Sequence, residues 1–174
     1  MAAVVGLGNA VLQKICAEAE AEGIVRPANY NSPGQIVISG SNAGVRRAMQ
    51  LAKDAGAKLA KELPVSGAFH SPLMEPAQEG LKAALDKVMI NDAEVPVYAN
   101  VTARPVTRAA DIRRLLYEQL TSPVLWDQTI TNMAADGAAR FVEIGPGKVL
   151  QGLVKRISPD VTTAGLDKVS DIAH

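Results

Sequence analysis

The chain has 174 residues, 48% of them hydrophobic and only 3% aromatic, enough for one ordinary domain or two small ones with a core of Val, Ile, Leu, Ala and Met. Eighteen basic residues balance eighteen acidic ones, which excludes a global field that would attract nucleic acid or an anionic membrane. A single cysteine, Cys16, excludes an intramolecular disulfide and fits a reducing compartment, and no apolar run approaches the ~18 residues of a membrane span.

The first seven residues are apolar but lack the basic n-region of a signal peptide, so the expectation is a cytoplasmic protein. Val4 and Val5 read as the middle of a buried strand, and a domain starting there is expected to have lost what came before it. After a strand over 2–7, Asn9 is the expected cap of a helix whose Leu12, Ile15, Cys16 and Ala19 fall at i, i+3, i+4 and i+7. A strand over 24–30, a Pro-Gly turn at 31–34 and a strand over 35–39 form a hairpin. Ser41 or Asn42 caps a second helix, with Val45, Ala48, Met49 and Ala52 inward and Gly56 as its stop. A strand over 58–63 completes β-α-β-β-α-β, the ferredoxin-like plan, which packs two helices on one face of a four-stranded antiparallel sheet.

Residues 64–72, with two prolines and a glycine, break that pattern, so the expected division is a ferredoxin-like small subdomain over 1–63 and a different α/β subdomain over 64–174. In the latter the sequence predicts a helix over 72–88 with Ala77, Leu81, Ala84, Leu85 and Val88 inward. A strand over 95–100, helices over 109–120 and 126–136, a strand over 140–144, a turn at 145–147 and a helix over 148–157 follow. Alternating strands and helices suggest a parallel sheet. Two or three strands leave edges and helix faces uncovered, so the remainder of the sheet is expected from residues outside this chain.

Of the two histidines, His174 is terminal and expected to be mobile, whereas His70 lies in a loop entering a helix, where proton transfer is often done. It reads equally as a base or as a residue that caps the helix or bonds a nearby carbonyl. Ser66 and Ser71 are too close in sequence to present a hydroxyl to it in the right geometry. No Gly-x-Ser-x-Gly elbow is present, since Gly40-Ser-Asn-Ala-Gly44 has the wrong spacing, and Cys16 reads as core. Gln119 shares a face with Ile112, Leu115 and Leu116, so it is either a buried glutamine in need of partners or a helix-end residue turned to solvent. Gly145-Pro-Gly-Lys148 lacks P-loop spacing and reads as a structural turn. No cluster has metal-ligand spacing, and no basic–aromatic pattern suggests nucleic-acid binding.

Four collinear motifs carry a resemblance that covers nearly the whole chain: Pro27-Ala-Asn-Tyr-Asn-Ser-Pro-Gly-Gln-Ile-Val-Ile-Ser-Gly40, Leu63-Pro-Val-Ser-Gly-Ala-Phe-His-Ser-Pro-Leu-Met-Glu-Pro76, Gln119-Leu-Thr-Ser-Pro-Val-Leu-Trp126 and Val142-Glu-Ile-Gly-Pro-Gly-Lys-Val-Leu-Gln-Gly-Leu153. Together they resemble the C-terminal part of bacterial malonyl-CoA:acyl carrier protein transacylases. The resemblance implies a ferredoxin-like small subdomain and the C-terminal part of an α/β-hydrolase-like acyltransferase subdomain. It implies a ping-pong transfer in fatty-acid biosynthesis: a serine takes malonyl from malonyl-CoA and passes it to the phosphopantetheine thiol of acyl carrier protein, both being substrates and neither a resident cofactor. His70 matches the family's general base and acid, Gln119 the glutamine whose backbone carbonyl orients it, and Phe69 the residue that accompanies malonyl over methylmalonyl. The family's Gly-His-Ser-x-Gly nucleophile, malonyl-binding arginine and glutamine-rich loop belong upstream of the region seen here, so the expectation is a chain inactive alone that pairs with a missing N-terminal half. The alternative is a non-catalytic carrier-protein binding module or complementing subunit, with Lys148, Lys155 and Arg156 steering an acidic partner.

Overall fold

In the computed structural model, which describes residues 1–172, four strands and two helices come first. They are β1 (Ala2–Val5), α1 (Asn9–Ala19), β2 (Val25–Ser32), β3 (Gln35–Gly40), α2 (Asn42–Asp54) and β4 (Leu59–Glu62). The sheet order is β2-β3-β1-β4 and every pairing is antiparallel, the ferredoxin-like arrangement predicted from element order. Alternation decides its faces: Ala2 and Val4 sit opposite Ile38 and Ile36, and these four side chains are buried with Leu12, Ile15, Cys16 and Ala19 of α1 and Val45, Ala48 and Ala52 of α2. Period 3.6 on the helices and period 2 on the strands thus build one core.

Two local expectations resolve differently. Gly8, extended at φ −77° and ψ 157°, is the N-cap of α1, and no side chain caps that helix; Asn9 is already its first helical residue. Ser41 caps α2, its hydroxyl accepting from the Gly44 amide at 3.1 Å. The glycines of Gly40-Ser-Asn-Ala-Gly44 have a packing reason. A Cβ at Gly40 would lie 2.0 Å from the Ile24 carbonyl oxygen, and one at Gly44 2.3 Å from that of Gly23.

The second part holds α3 (Glu75–Leu85), β5 (Val97–Ala99), β6 (Arg104–Val106), α4 (Ala109–Glu118), α5 (Trp126–Ala135), β7 (Arg140–Ile144), α6 (Val149–Ile157) and β8 (Thr162–Leu166). The predicted helix over 72–88 begins instead as a tight turn at Pro72–Met74, because Pro72 and Pro76 remove amide donors. It ends three residues early, and of the side chains expected inward only Leu85 is buried; Leu81 is half-buried, and Ala77, Ala84 and Val88 are exposed. The expected parallel sheet is only partly present: β7 and β8 are parallel across α6, but β5 and β6 form an antiparallel hairpin. Neither β6 nor β8 is predicted from the sequence. Pro105 sits inside the former, and the latter (Thr-Thr-Ala-Gly-Leu) has little apolar content. Ile144 is 80% exposed, and Val97, Val142, Val149 and Leu150 are also exposed, so this part carries an unpartnered apolar surface.

The two parts are stitched along the free edge of β2. Tyr30 donates its amide to the Val124 carbonyl and Val124 donates to Ala28, each at 2.8 Å, which covers an edge that would otherwise be open. This pairing lays the segment following α4 along the edge of the first sheet. Among the described residues no helix is long and apolar enough to cross a membrane, and no group of ligating side chains could hold a metal ion. His174 lies outside the described residues.

Candidate functional site around His70

His70 has φ +61°, a left-handed backbone that few non-glycine residues adopt. Such a conformation costs on the order of 1–3 kcal/mol and persists only where its surroundings fix it. Here they do. Ser71, fully buried, donates its hydroxyl to the Ala68 carbonyl at 2.6 Å and closes the turn beneath the histidine. The His70 amide donates to the Leu120 carbonyl at 3.0 Å. The ring's Nδ1 lies 3.0 Å from the Gln119 carbonyl oxygen and 3.1 Å from that of Ser122.

Those two contacts set the tautomer. A carbonyl oxygen can only accept, so Nδ1 carries the proton and Nε2 is left with a free lone pair. The Gln119 amide nitrogen stands 3.4 Å from Nδ1; a nitrogen already donating to carbonyls has no lone pair to offer it, so this is a near approach and not a bond. Gln119 itself is the C-cap of α4 and half-buried, at the helix end but with its amide near His70 rather than out in solvent. The atom that meets His70 most closely is its backbone oxygen.

His70 lines a cleft of about 370 Å³ with Gln13, Cys16, Arg26, Tyr30 and Thr121. A second crevice of about 600 Å³ shares Gln13, Tyr30 and Pro123 with it and runs past Asn9, Gln128 and Asn132. Asp127 lies on that crevice. Partial burial pushes its carboxyl above the usual carboxylate range, although the Gln128 amide hydrogen-bonds to it. Arg26 is paired with Glu20.

The serines nearest His70 in sequence do not serve as nucleophiles: Ser71 has committed its proton to the Ala68 carbonyl, and Ser66 is exposed on the loop, beside a separate crevice. Of the hydroxyls that line the cleft, Tyr30 accepts from Gln13 Nε2 at 3.1 Å and Thr121 accepts from Gln78 Nε2 at 3.2 Å. Cys16 lines the cleft, but burial pushes its thiol up to about 12, against a small opposing pull from Arg26, and a thiol of that kind is inert at neutral pH. Cys16 is therefore expected to resist alkylation at pH 8 in the folded chain and to react fully in denaturant; rapid native labelling in a thiol-counting assay would contradict its burial.

Phe69 is exposed, its ring lying over Gly67, where a Cβ would meet it at 2.8 Å. Lys148, Lys155 and Arg156 are exposed. Lys148 is the N-cap of α6, the other two sit in its last turn, and Arg156 donates to Gln35 Oε1 at 2.7 Å. The turn at Gly145-Pro-Gly147 uses positive φ at both glycines. The helix N-terminus behind it is already capped, because Glu143 accepts the Leu150 and Gln151 amides at 3.0 and 3.2 Å. Burial alone would raise that carboxyl, but the amide bonds outweigh it and hold it below its usual range. The protein's own carboxylate thus stands where an anion would bind.

Gln78 was not singled out by the sequence reading. It is 8% exposed on α3 and donates to the Tyr117 carbonyl at 2.9 Å and to Thr121 Oγ1 at 3.2 Å. Its spacing from Leu81 and Leu85, i, i+3 and i+7, is the signal that could have found it.

Residues 1–166 match the family model described as "Acyl transferase domain". The chain belongs to that family. Among curated relatives it is 50% identical over 164 residues to the malonyl CoA-acyl carrier protein transacylase of Bacillus subtilis, covering 94% of this chain and 52% of the relative. It is 44% identical over 173 residues to the transacylase of Escherichia coli, covering 99% of this chain and 56% of that one. The structure of an acyl carrier protein S-malonyltransferase from Vibrio cholerae superposes with a TM-score of 0.95 at 40% identity, over 99% of this chain and 56% of that one. A type II PKS acyl-carrier protein in complex with its malonyl-transacylase gives a TM-score of 0.95 at 37% identity, over 99% and 56%. The mixed α/β fold is therefore that of the malonyltransferases over the region matched, and the chain spans about half the length of the curated relatives it matches.

Proposed function

We propose that this chain is the base-bearing half of an acyl transferase that moves malonyl from malonyl-CoA to the phosphopantetheine thiol of acyl carrier protein, as in fatty-acid biosynthesis. One observation carries the reading: His70 Nδ1 is held by two backbone carbonyls, which leaves Nε2 as an acceptor in a residue that lines the cleft. In this scheme Nε2 takes the proton of a serine supplied by the upstream half as that serine attacks the thioester carbonyl. The imidazolium then protonates the departing coenzyme A sulfur. The carrier thiol next gives its proton to Nε2 and attacks the serine ester, and the serine oxygen recovers the proton. Gln119 acts here as a positioning residue through its backbone oxygen.

Three features support the substrates. The crevice beside the cleft is lined by the amides of Asn9, Gln13, Gln128 and Asn132, groups that match the repeated amides of a pantetheine arm. Phe69 directly precedes His70, the place the resemblance gives to the residue that accompanies malonyl over methylmalonyl. Lys148, Lys155 and Arg156 would raise the encounter rate with an acidic carrier protein. The exposed apolar side chains of β7 and α6 would be covered by the upstream half.

The chain contains no Gly-His-Ser-x-Gly segment, so on its own it is expected to give no malonyl transfer. Joined to the upstream half of the Bacillus subtilis relative, it is expected to gain turnover, faster with malonyl-CoA than with methylmalonyl-CoA. Turnover by the chain alone that His70→Ala leaves unchanged would overturn the assignment. Salt-sensitive binding of carrier protein by a folded fusion that transfers nothing would favour a non-catalytic binding module instead.

A further inference from the structure

The end of α4 presents its free carbonyls in an orderly way. Every α-helix leaves its last carbonyls without intrahelical donors. Here Glu118 O accepts from the amides of Thr121 and Ser122, and Leu120 O from the His70 amide. The Gln119 and Ser122 oxygens face His70 Nδ1, and Tyr117 O takes the buried amide of Gln78. The second hydrogen of that amide goes to Thr121 Oγ1 at 3.2 Å. His70 is thus gripped on one side of the 117–122 turn while Gln78, reaching across from α3, grips the other.

We infer that Gln78 is a positioning residue for His70: by fixing the 117–122 turn it holds the Gln119 and Ser122 carbonyls where they keep the proton on Nδ1 and free Nε2. The inference rests on the reading of His70 as the base. Its physical basis is that the buried amide of Gln78, with two fixed acceptors, cannot turn away without giving up both bonds and leaving Tyr117 O short of its donor. If the turn relaxes, the carbonyls withdraw from Nδ1. The ring is then free to take the Nε2–H form that predominates in free histidine, and that form cannot accept a proton at Nε2.

The test uses the full 174-residue chain labelled with nitrogen-15, carrying His174→Gln so that one imidazole remains. Nitrogen shifts of the neutral ring report its tautomer directly. The parent is expected to be predominantly Nδ1–H. Gln78→Leu, and Gln78→Glu as a second variant of nearly unchanged shape, are each expected to raise the ratio of Nε2–H to Nδ1–H about two- to tenfold, the span expected from losing one or two ordinary hydrogen bonds. Leu85→Ala, which weakens the same helix away from the turn, is expected to leave that ratio as in the parent. A folded Gln78 variant with the parental ratio, or an equal shift in Leu85→Ala, overturns the role of Gln78. A parent already in the Nε2–H form overturns instead the reading of His70 on which it rests.

Discussion

Replacing His70 by alanine in the chain joined to its upstream half is expected to lower malonyl transfer by about 10²–10⁴-fold, the span of a lost general base. The loss should fall on kcat, since the imidazole acts in proton transfer and contributes little to ground-state binding. Gln119→Ala is the informative companion. Its backbone carbonyl, 3.0 Å from Nδ1, survives the substitution, so the variant is expected to keep most of its activity. A steady-state assay over a range of malonyl-CoA concentrations separates these outcomes. A His70→Ala enzyme within a few-fold of the parent would remove the histidine from the mechanism. A Gln119→Ala enzyme as damaged as His70→Ala would show that the side chain, not the carbonyl, is what matters.

Ile38→Ala is expected to destabilise the chain by about 2–5 kcal/mol, the cost of a large-to-small change in a packed core. Ile38 is fully buried in β3, opposite Ala2 on one side and Pro27 on the other, so the surroundings on both strands are fixed and little collapse into the cavity is available. Ile144→Ser is the contrast. That side chain is 80% exposed, and its replacement is expected to change stability by less than about 0.5 kcal/mol. Urea unfolding of both variants measures the difference. Equal midpoints for Ile38→Ala and the parent would mean that the sheet-and-helix core is not the stabilising unit it is taken to be.

Much of the first fold unit was legible in the sequence because its two helices and β1 keep their periods, although Met49, expected inward, is only half-buried and β4 is largely exposed. Leu12, Ile15, Cys16 and Ala19, and Val45, Ala48 and Ala52, are buried as the 3.6-residue spacing requires. The element order then leaves few sheet topologies to consider. The second part was less legible for a physical reason. Val95 and Val97 look like strand residues inside a buried sheet, but both are exposed, and Val97 belongs to a short hairpin whose other strand contains a proline. Apolar pattern indicates pairing only where the side chains are buried, and these are not.

The sequence by itself determined the first unit's core, the loop that carries His70, and the motifs that join the chain to its family. Those are properties of residue type and spacing, and they need no partner to be read. Only the tertiary structure decided what holds His70. Its positive φ, the convergence of Gln119 and Ser122 carbonyls on Nδ1, and the buried amide of Gln78 behind them join segments 39 to 52 residues apart. Backbone oxygens are the same in every residue, so no side-chain pattern can announce them. Their role at the ring arises only where the end of a helix meets a strained loop.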